Sequence, residues 1–303
     1  MNAVLVTGAT GFVGTPTVKY LLNRGYAVHA LSSKVSGCTE KHENLHLHKV
    51  DLLNGDERRQ VLKSVKPDYL IHLAWYVEHG KFWTSPINVD WVIASLNLAR
   101  EFAEVGGKRM ICAGSCYEYD LRSVSPFSER NTPLLPSSMY GSAKLSLFQL
   151  LEQLARILKI SFAWGRIFFL FGEHEGPTRL VPYVIRSLLD GRTAKCSHGT
   201  QIRDFSDTRT VAEGFVSLLE SGVEGPVNIC SGQGIEVREL VQMIANVIGR
   251  EDLIEFNALP VPADDPPVIV GNNERLLKEV CFRPTIELRK QLEGTVLWWR
   301  DQK

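Results

Sequence analysis

The chain has 303 residues, of which 44% are hydrophobic and 22% are charged, a composition that excludes a wholly disordered protein. Lysine plus arginine and aspartate plus glutamate both number 34, so the basic excess of a general nucleic-acid binder is absent and no nucleic-acid partner is expected. No stretch is long and apolar enough for a bilayer and no secretory leader pattern is visible, so we expect a soluble, cytosolic protein without membrane contact.

The first half of the chain alternates short apolar runs with segments of helical periodicity. The runs predict strands at Ala3–Val6, Tyr26–Leu31, Leu45–Val50, Tyr69–Leu73, Arg109–Ala113 and Ser161–Ile167, and the periodic segments predict helices at Pro16–Arg24, Arg58–Val65, Ile87–Glu104 and Ser138–Leu158. Strands that alternate with helices pair in parallel, because each crossover packs its helix on a face of the sheet. The predicted fold class is therefore α/β, with a doubly wound parallel sheet.

From about Phe168 the alternation is lost, and a smaller C-terminal lobe is predicted. Further helices are expected at Leu180–Leu189, Val237–Ile248 and Leu288–Arg300. A helix near Val211–Leu219 and a strand at Val227–Cys230 are expected to return to the first domain. The predicted division is a first domain at 1–167, joined by 206–230, and a lobe at 168–303.

The cysteines and a histidine-rich segment give no sign of disulfides or of a metal. The six cysteines lack the spacing of a disulfide framework, and Cys112 and Cys116 are predicted to be buried free thiols. His42, His46 and His48 surround apolar positions of the third predicted strand, which favours a strand face over a metal site.

Three glycines follow the first strand in the order Thr7-Gly8-x-x-Gly11-x-x-Gly14 and precede a helix. Glycine permits the tight turn and the close approach of a pyrophosphate, and the helix N-terminus offers free N–H groups to the anion. The pattern resembles the fingerprint of the short-chain dehydrogenase/reductase family, and the resemblance implies a Rossmann dinucleotide-binding domain. The implied cofactor-binding residues in this loop are Gly8, Thr10, Gly11, Phe12, Val13 and Gly14.

The end of the second strand bears on which dinucleotide is bound. An NAD site usually has an acidic residue there, which accepts from the ribose 2′-hydroxyl. Here Ser32, Ser33 and Lys34 offer two hydroxyls and an ammonium to a 2′-phosphate, so NADP(H) is preferred and NAD(H) stays possible. The alternative is that these three residues only solvate a loop. The resemblance adds adenine and ribose contacts after the third and fourth strands, at Asp51, Leu52, Leu73 and Ala74.

Tyr140 and Lys144 lie four residues apart at the start of a predicted helix and share one face. Ser115 lies just past the fifth strand, at the edge of the sheet where ligands of such folds bind. Ser115 with Tyr140-x-x-x-Lys144 resembles the catalytic arrangement of the extended branch of the family, the nucleotide-sugar epimerases, dehydratases and ketoreductases. The resemblance implies that Tyr140 is the acid/base, that Lys144 binds the nicotinamide ribose and favours phenolate, and that Ser115 orients the substrate.

The resemblance extends into the C-terminal lobe and makes it the substrate-binding lobe. It implies that Phe169, Arg179, Val181 and Arg203 bind a nucleotide-diphosphate sugar, although Phe169 stands where the family usually has Asn. An internal contact between Arg203 and its neighbour Asp204 is the structural alternative for that arginine. The segment 195–205 is somewhat similar to CDP-deoxysugar ketoreductases.

Three functions remain open on the sequence. Cys116-Tyr117 replaces the Asp-Glu pair with which the family's dehydratases eliminate water, so a dehydratase is disfavoured. The preferred function is an NADP(H)-dependent reductase of a nucleotide-linked 4-keto-6-deoxysugar, and the alternative is a nucleotide-sugar 4-epimerase with tightly bound NAD. A cofactor-sensing protein without turnover is the third. The resemblance also implies a homodimer through the helices Ile87–Glu104 and Ser138–Leu158.

Overall fold

The computed structural model describes residues 2–34, 41–262, 264–284 and 286–302, so Cys38 and Ala263 lie outside the described residues. The strands are β1 (Ala3–Thr7), β2 (Ala27–Ser32), β3 (Leu45–Lys49), β4 (Tyr69–His72), β5 (Arg109–Ser115), β6 (Ser161–Ile167), β7 (Phe169–Phe171), β8 (Ala194–Lys195), β9 (Ile202–Arg203), β10 (Phe205–Asp207), β11 (Gly225–Ile229), β12 (Ile235–Glu236), β13 (Ile254–Glu255) and β14 (Val268–Ile269). The helices are α1 (Gly14–Asn23), α2 (Gly55–Val65), α3 (Ile87–Glu104), α4 (Met139–Leu158), α5 (Leu180–Leu189), α6 (Thr208–Ser221), α7 (Val237–Ile248), α8 (Glu274–Lys278) and α9 (Leu288–Asp301). Short 3₁₀ turns lie at Cys116–Glu118 and Glu251–Leu253.

The main sheet has seven strands in the order β3-β2-β1-β4-β5-β6-β11, and each neighbouring pair is parallel. The chain leaves β1 in one direction to reach β2 and β3 and in the other to reach β4 and β5, so the strand order reverses between β1 and β4. A crevice forms at the carboxyl ends of strands at such a point, and ligands bind there. The predicted α/β fold with a doubly wound parallel sheet is confirmed.

Side chains of successive residues point to opposite faces of a strand, and β1 shows how each face is covered. Val4 and Val6 pack in a core with residues of α1 and α6, whereas Leu5 packs in the opposite core with residues of α2, α3 and α4. All three strand residues are fully buried. Helices therefore cover both faces of the sheet.

The C-terminal lobe has its own apolar core, to which α5, α7 and α9 contribute. Val184, Leu240 and Leu292 are fully buried in it. The segment between β10 and β12, which contains α6 and β11, packs with the first domain instead. Strand β11 pairs with β6 of the main sheet, and α6 packs beside α1. The division into a first domain at 1–167 and a lobe at 168–303 stays a prediction.

Capping explains where two helices begin differently from the prediction. Helix α2 begins at Gly55 and not at Arg58, because the Asn54 side chain accepts the N–H groups of Asp56 and Glu57. Helix α4 begins at Met139, with Ser138 as its N-cap.

Within the described ranges, no helix combines the length and the apolarity that crossing a membrane requires.

Candidate active site

The glycine loop closes tightly between β1 and α1. Gly8 has a φ of +66°, and a Cβ added there would lie 2.9 Å from the Cα of Ala74. A Cβ on Gly14 would collide with the carbonyl oxygen of Gly8, so no larger residue fits at either position. The N–H groups of Phe12 and Val13 have no acceptor among the described residues. Free N–H groups at the start of a helix suit a pyrophosphate, so the loop fits a dinucleotide.

A compact turn lies at the end of β2, next to this loop. The hydroxyl oxygens of Thr10 and Ser32 are 2.6 Å apart, and Ser32 Oγ accepts the N–H of Lys34 at 3.1 Å. Ser33 and Lys34 are exposed, and the Lys34 ammonium has no salt bridge in the part of the chain that is described. The turn thus carries hydroxyls and an ammonium at the carboxyl end of β2, and none of its three residues is acidic.

The other predicted dinucleotide contacts lie at the same edge of the sheet. Asp51 is exposed and Leu52 is buried directly after β3. The N–H groups of Leu73 and Ala74, after β4, both donate to the Thr7 hydroxyl at 3.2 Å. The structure thus brings these predicted residues to the carboxyl ends of neighbouring strands, around the glycine loop.

The three predicted catalytic residues come together across the crevice from that loop. Ser115 is the last residue of β5, and Tyr140 and Lys144 lie on the first turns of α4. Burial raises the pKa of the Tyr140 phenol, while a hydrogen bond with the Ser115 side chain lowers it. The Ser115 side chain therefore acts towards phenolate, and the role expected for Lys144 stays a prediction.

A buried carboxylate that sequence reasoning missed fixes the position of Ser115. Glu118 accepts the N–H of Ser115 at 2.7 Å, the Nε–H of Arg166 at 2.7 Å and the indole N–H of Trp164 at 3.0 Å. Ser115 and Glu118 form a capping box around the 3₁₀ turn. The spacing Ser-x-x-Glu is the sequence signal that could have revealed this pair.

Aromatic rings that the sequence did not single out surround Tyr140. Ring centroids of Phe82 and Trp83 lie 4.9 Å and 5.8 Å from that of Tyr140. Trp83 also packs edge-on against Tyr117 at 4.5 Å, and Tyr117 lies 6.3 Å from Phe169. Aromatic faces and edges therefore line the crevice on the side of the C-terminal lobe. Phe82 and Trp83 come from the loop between β4 and α3, which has no periodic signal.

The Arg203 guanidinium pairs with a carboxylate other than that of its neighbour Asp204. Its guanidinium donates to Asp265 at 2.7 Å and lies 5.4 Å from the ring centroid of Phe169. Asp204 instead accepts the N–H groups of Ser231 and Gly232. The alternative that paired Arg203 with Asp204 is therefore wrong, and Arg203 stays close to the aromatic side of the crevice.

A cavity of about 320 Å³ opens next to the start of α5. Its lining residues are Thr178, Leu180, Tyr183, Lys195, Cys196, Ser197, Gln201 and 259–262. Val181, predicted to bind substrate, is only 1% exposed and packs into the core of the lobe. Its side chain faces the lobe core in this structure, and its assignment to substrate binding stays a prediction.

Arg179, the remaining predicted substrate residue, lies near Phe82 and near the buried carboxyl group of Glu175. Its guanidinium lies 5.9 Å from the ring centroid of Phe82. Glu175 is 8% exposed, and its Oε2 has no hydrogen-bond partner among the described residues. Burial raises the pKa of Glu175 to about 8, opposed by the positive charge of Arg179.

We expect Glu175→Gln to stabilise the protein increasingly as the pH rises from about 5 to 8. The folded protein keeps the Glu175 proton up to a pKa of about 8, while the unfolded chain releases it near 4.3. The unfolded state then binds fewer protons, so the wild type loses about 1.4 kcal/mol per pH unit across this window and the variant does not. Urea unfolding of both proteins at several pH values measures the difference. A gain that is the same at every pH would contradict the expectation.

Comparisons with known proteins agree with this geometry. The family model described as the NAD dependent epimerase/dehydratase family matches residues 4–230. The UDP-glucose 4-epimerase of Bacillus subtilis is 27% identical over 282 residues, which cover 82% of this chain and 83% of that protein. The CDP-abequose synthase of Salmonella typhimurium is 24% identical, with 96% of each chain covered.

A solved structure supports the same grouping. The UDP-N-acetylglucosamine 4-epimerase from Methanobrevibacter ruminantium M1, in complex with UDP-N-acetylmuramic acid, superposes with a TM-score of 0.91. It is 26% identical, and the match covers 100% of this chain and 99% of that one. The described residues contain no group of three or more His, Cys, Asp or Glu side chains arranged to hold a metal ion. The chain belongs to the NAD dependent epimerase/dehydratase family, as its resemblance to extended short-chain dehydrogenases/reductases implied.

Proposed function

We propose that this protein is a nucleotide-sugar 4-epimerase that uses NAD. The observation that carries the proposal is the grouping of Ser115, Tyr140 and Lys144 at the carboxyl edge of the sheet, facing a glycine loop built for a dinucleotide. The family and the similar epimerases support it. When bound, the dinucleotide supplies hydride removal and return at a carbinol carbon.

The side chains of the chain itself move the proton and orient the sugar. Tyr140 takes the proton from the sugar hydroxyl and later returns it, which a phenol does well only if its pKa falls towards neutrality. The hydrogen bond from Ser115 acts in that direction, and burial of the phenol opposes it. Lys144, as an ammonium one helical turn along, adds a positive charge that favours phenolate.

The nucleotide part of the substrate belongs in the C-terminal lobe. The cavity beside α5 is close in size to small-ligand sites, and Arg203 and Arg179 carry positive charge near the aromatic side of the crevice. A diphosphate would compete with Asp265 for Arg203. These features favour a nucleotide-diphosphate sugar over a free sugar.

The test is product formation together with cofactor retention. Purified protein is incubated with UDP-glucose or UDP-N-acetylglucosamine, and inversion at C4 is followed by proton NMR. The dinucleotide released on denaturation is identified by mass, because an epimerase returns the hydride to its own substrate and keeps its cofactor. Dinucleotide-free protein that also fails to invert any UDP-sugar with added NAD would remove this function.

A 4-ketoreductase that uses NADPH is the second candidate. The hydroxyl and ammonium groups of Ser32, Ser33 and Lys34 favour a 2′-phosphate, and the CDP-abequose synthase is similar over nearly the whole chain. A dehydratase is not proposed, because neither Cys116 nor Tyr117 is a carboxylic acid. Oxidation of NADPH at 340 nm with CDP- or dTDP-linked 4-keto-6-deoxysugars separates this candidate from the epimerase.

We expect Lys34→Ala to weaken NADPH binding about tenfold and to leave NADH binding unchanged. Only NADPH carries the 2′-phosphate to which the Lys34 ammonium would donate a charge-assisted hydrogen bond, and the loss of such a bond is of this size. Fluorescence titration with both dinucleotides checks it, and NADH serves as the internal control. Equal weakening of both would show that Lys34 does not read the phosphate.

The homodimer and the cytosolic location stay predictions. Helices α3 and α4 pack in the same core, and each also exposes apolar side chains. The exposed ones are Val89 and Ile93 on α3 and Leu150 and Ile157 on α4. A second copy of the chain would bury them in a four-helix interface, and light scattering measures the mass.

A further inference from the structure

The Lys144 ammonium is buried, and no described residue forms a salt bridge with it. The residue is 4% exposed, and Nζ makes one hydrogen bond among the described residues, to the carbonyl oxygen of Ala113 at 2.9 Å. Burial lowers the pKa of Lys144 to about 8. A buried charge needs compensation from its surroundings, and a single carbonyl offers little.

The ring of Trp75 supplies a second contact. Nζ of Lys144 lies 3.8 Å from the ring centroid of Trp75, which is close to contact distance with the face of the indole. The attraction between an ammonium and an aromatic face is strongest when both are shielded from water. The ring of Trp164 is more distant, at 5.9 Å, and its indole N–H is engaged by Glu118.

Trp75 is itself held in this orientation. Its indole N–H donates to Asn88 Oδ1 at 2.8 Å, and Asn88 is fully buried. The Asn88 amide in turn donates to the carbonyl oxygens of Phe82 and Ser85, both at 2.8 Å. The loop that places Phe82 against Tyr140 therefore also fixes the indole over Lys144.

The remaining groups that face the ammonium do not replace the indole. The His72 imidazole on β4 is bonded on both nitrogens, to Thr7 and Ser95, and burial lowers its pKa to about 3, so it is neutral. Burial raises the pKa of the Cys112 thiol on β5 to about 12, so it is neutral as well. Glu118 attracts the ammonium from the 3₁₀ turn, but its oxygens are already bonded to other groups.

We infer that Trp75 is a positioning residue for Lys144, whose indole face keeps the lysine charged and in place one turn from Tyr140. The inference depends on the proposed function only for its effect on catalysis. The contact itself concerns the protein alone. Loss of the indole face should lower the pKa of Lys144 by about one unit, an effect between those of exposed and of fully desolvated cation–π contacts.

The experiment reads the titration of Lys144 directly. Protein labelled with [6-¹³C]lysine is titrated by NMR, and the Lys144 signal is assigned by its absence in Lys144→Met. Trp75→Met keeps an apolar side chain but removes the aromatic face, and Trp75→Phe restores a smaller face. Trp91→Leu is the control, because the ring centroid of Trp91 lies 6.0 Å from that of Trp75 and the rings found over the Lys144 ammonium among the described residues are those of Trp75 and Trp164.

We expect the pH midpoint of the Lys144 titration to fall by about one pH unit in Trp75→Met, by less in Trp75→Phe and not at all in Trp91→Leu. The alkaline limb of kcat/KM should move with it, which a general loss of structure would not cause. An unchanged midpoint in folded Trp75→Met, or an equal shift in Trp91→Leu, would overturn the inference. Should Trp75→Met not fold, an unchanged midpoint in Trp75→Phe would do so. A shifted midpoint in a protein that converts no nucleotide sugar would sink the proposed function and leave the inference standing.

Discussion

Tyr140→Phe should lower kcat by about 10³-fold and leave the dissociation constant of the dinucleotide within about twofold. Removal of a general acid/base costs 10²- to 10⁴-fold, and the phenol is the group that moves the proton at the reacting oxygen. The ring itself packs edge-on against Phe82 and Trp83, and phenylalanine keeps those contacts. The fold and the crevice should therefore survive the change.

A matched control removes a tyrosine hydroxyl from the opposite edge of the sheet. Tyr26 lies directly before β2, and its hydroxyl donates to Glu220 at 3.4 Å. Tyr26→Phe should retain wild-type kcat. Steady-state and single-turnover rates of the two variants, with dinucleotide binding measured by fluorescence, check both expectations. If Tyr140→Phe kept a tenth of wild-type activity or more, Tyr140 would not be the acid/base. If neither the wild type nor any variant converted a nucleotide sugar, the remaining function would be that of a binding protein without turnover.

The inner strands of the main sheet could be predicted because they are mostly buried and four to seven residues long. Strands such as Ser161–Ile167 give apolar runs that stand out between amphipathic helices, and the alternation then dictates parallel pairing. The strands of the C-terminal lobe have two or three residues each, as at Ile202–Arg203 and Val268–Ile269. Such segments are too short for a period to emerge, and only tertiary contacts define them.

The candidate site divides in the same way. Ser115, Tyr140 and Lys144 could be found because helix spacing and strand ends place them before any contact is known. Trp75 and Trp83 could not, because they lie in a loop without periodicity and reach the site only through the packing of that loop. Glu118 is intermediate: the capping spacing was present, but its bonds to β6 depend on the sheet order.

We expect Glu118→Gln to lower the free energy of unfolding by about 3–5 kcal/mol, the usual cost of removing one partner from a buried ion pair. Glu118 is fully buried, and its carboxylate is the anion for Arg166, whose side chain is 1% exposed. The Nη2 of Arg166 already has no hydrogen-bond partner among the described residues. Glutamine keeps the shape but leaves the guanidinium charge uncompensated, and it brings a second donor towards the indole N–H of Trp164.

The partner variant makes this expectation specific. Arg166→Met combined with Glu118→Gln removes both charges, so the double variant should be more stable than Glu118→Gln alone, since a neutral buried pair avoids the desolvation penalty. Glu274→Gln, which breaks an exposed i,i+4 pair with Lys278, should not measurably change stability. Urea unfolding of five proteins, the wild type, Glu118→Gln, Arg166→Met, the double variant and Glu274→Gln, tests this, and strictly additive losses in the double variant would contradict it. Because Glu118 also accepts the N–H of Ser115, we expect Glu118→Gln and the double variant to have similarly lowered kcat values. Recovery of stability without recovery of kcat in the double variant would separate support of the fold from placement of the catalytic serine.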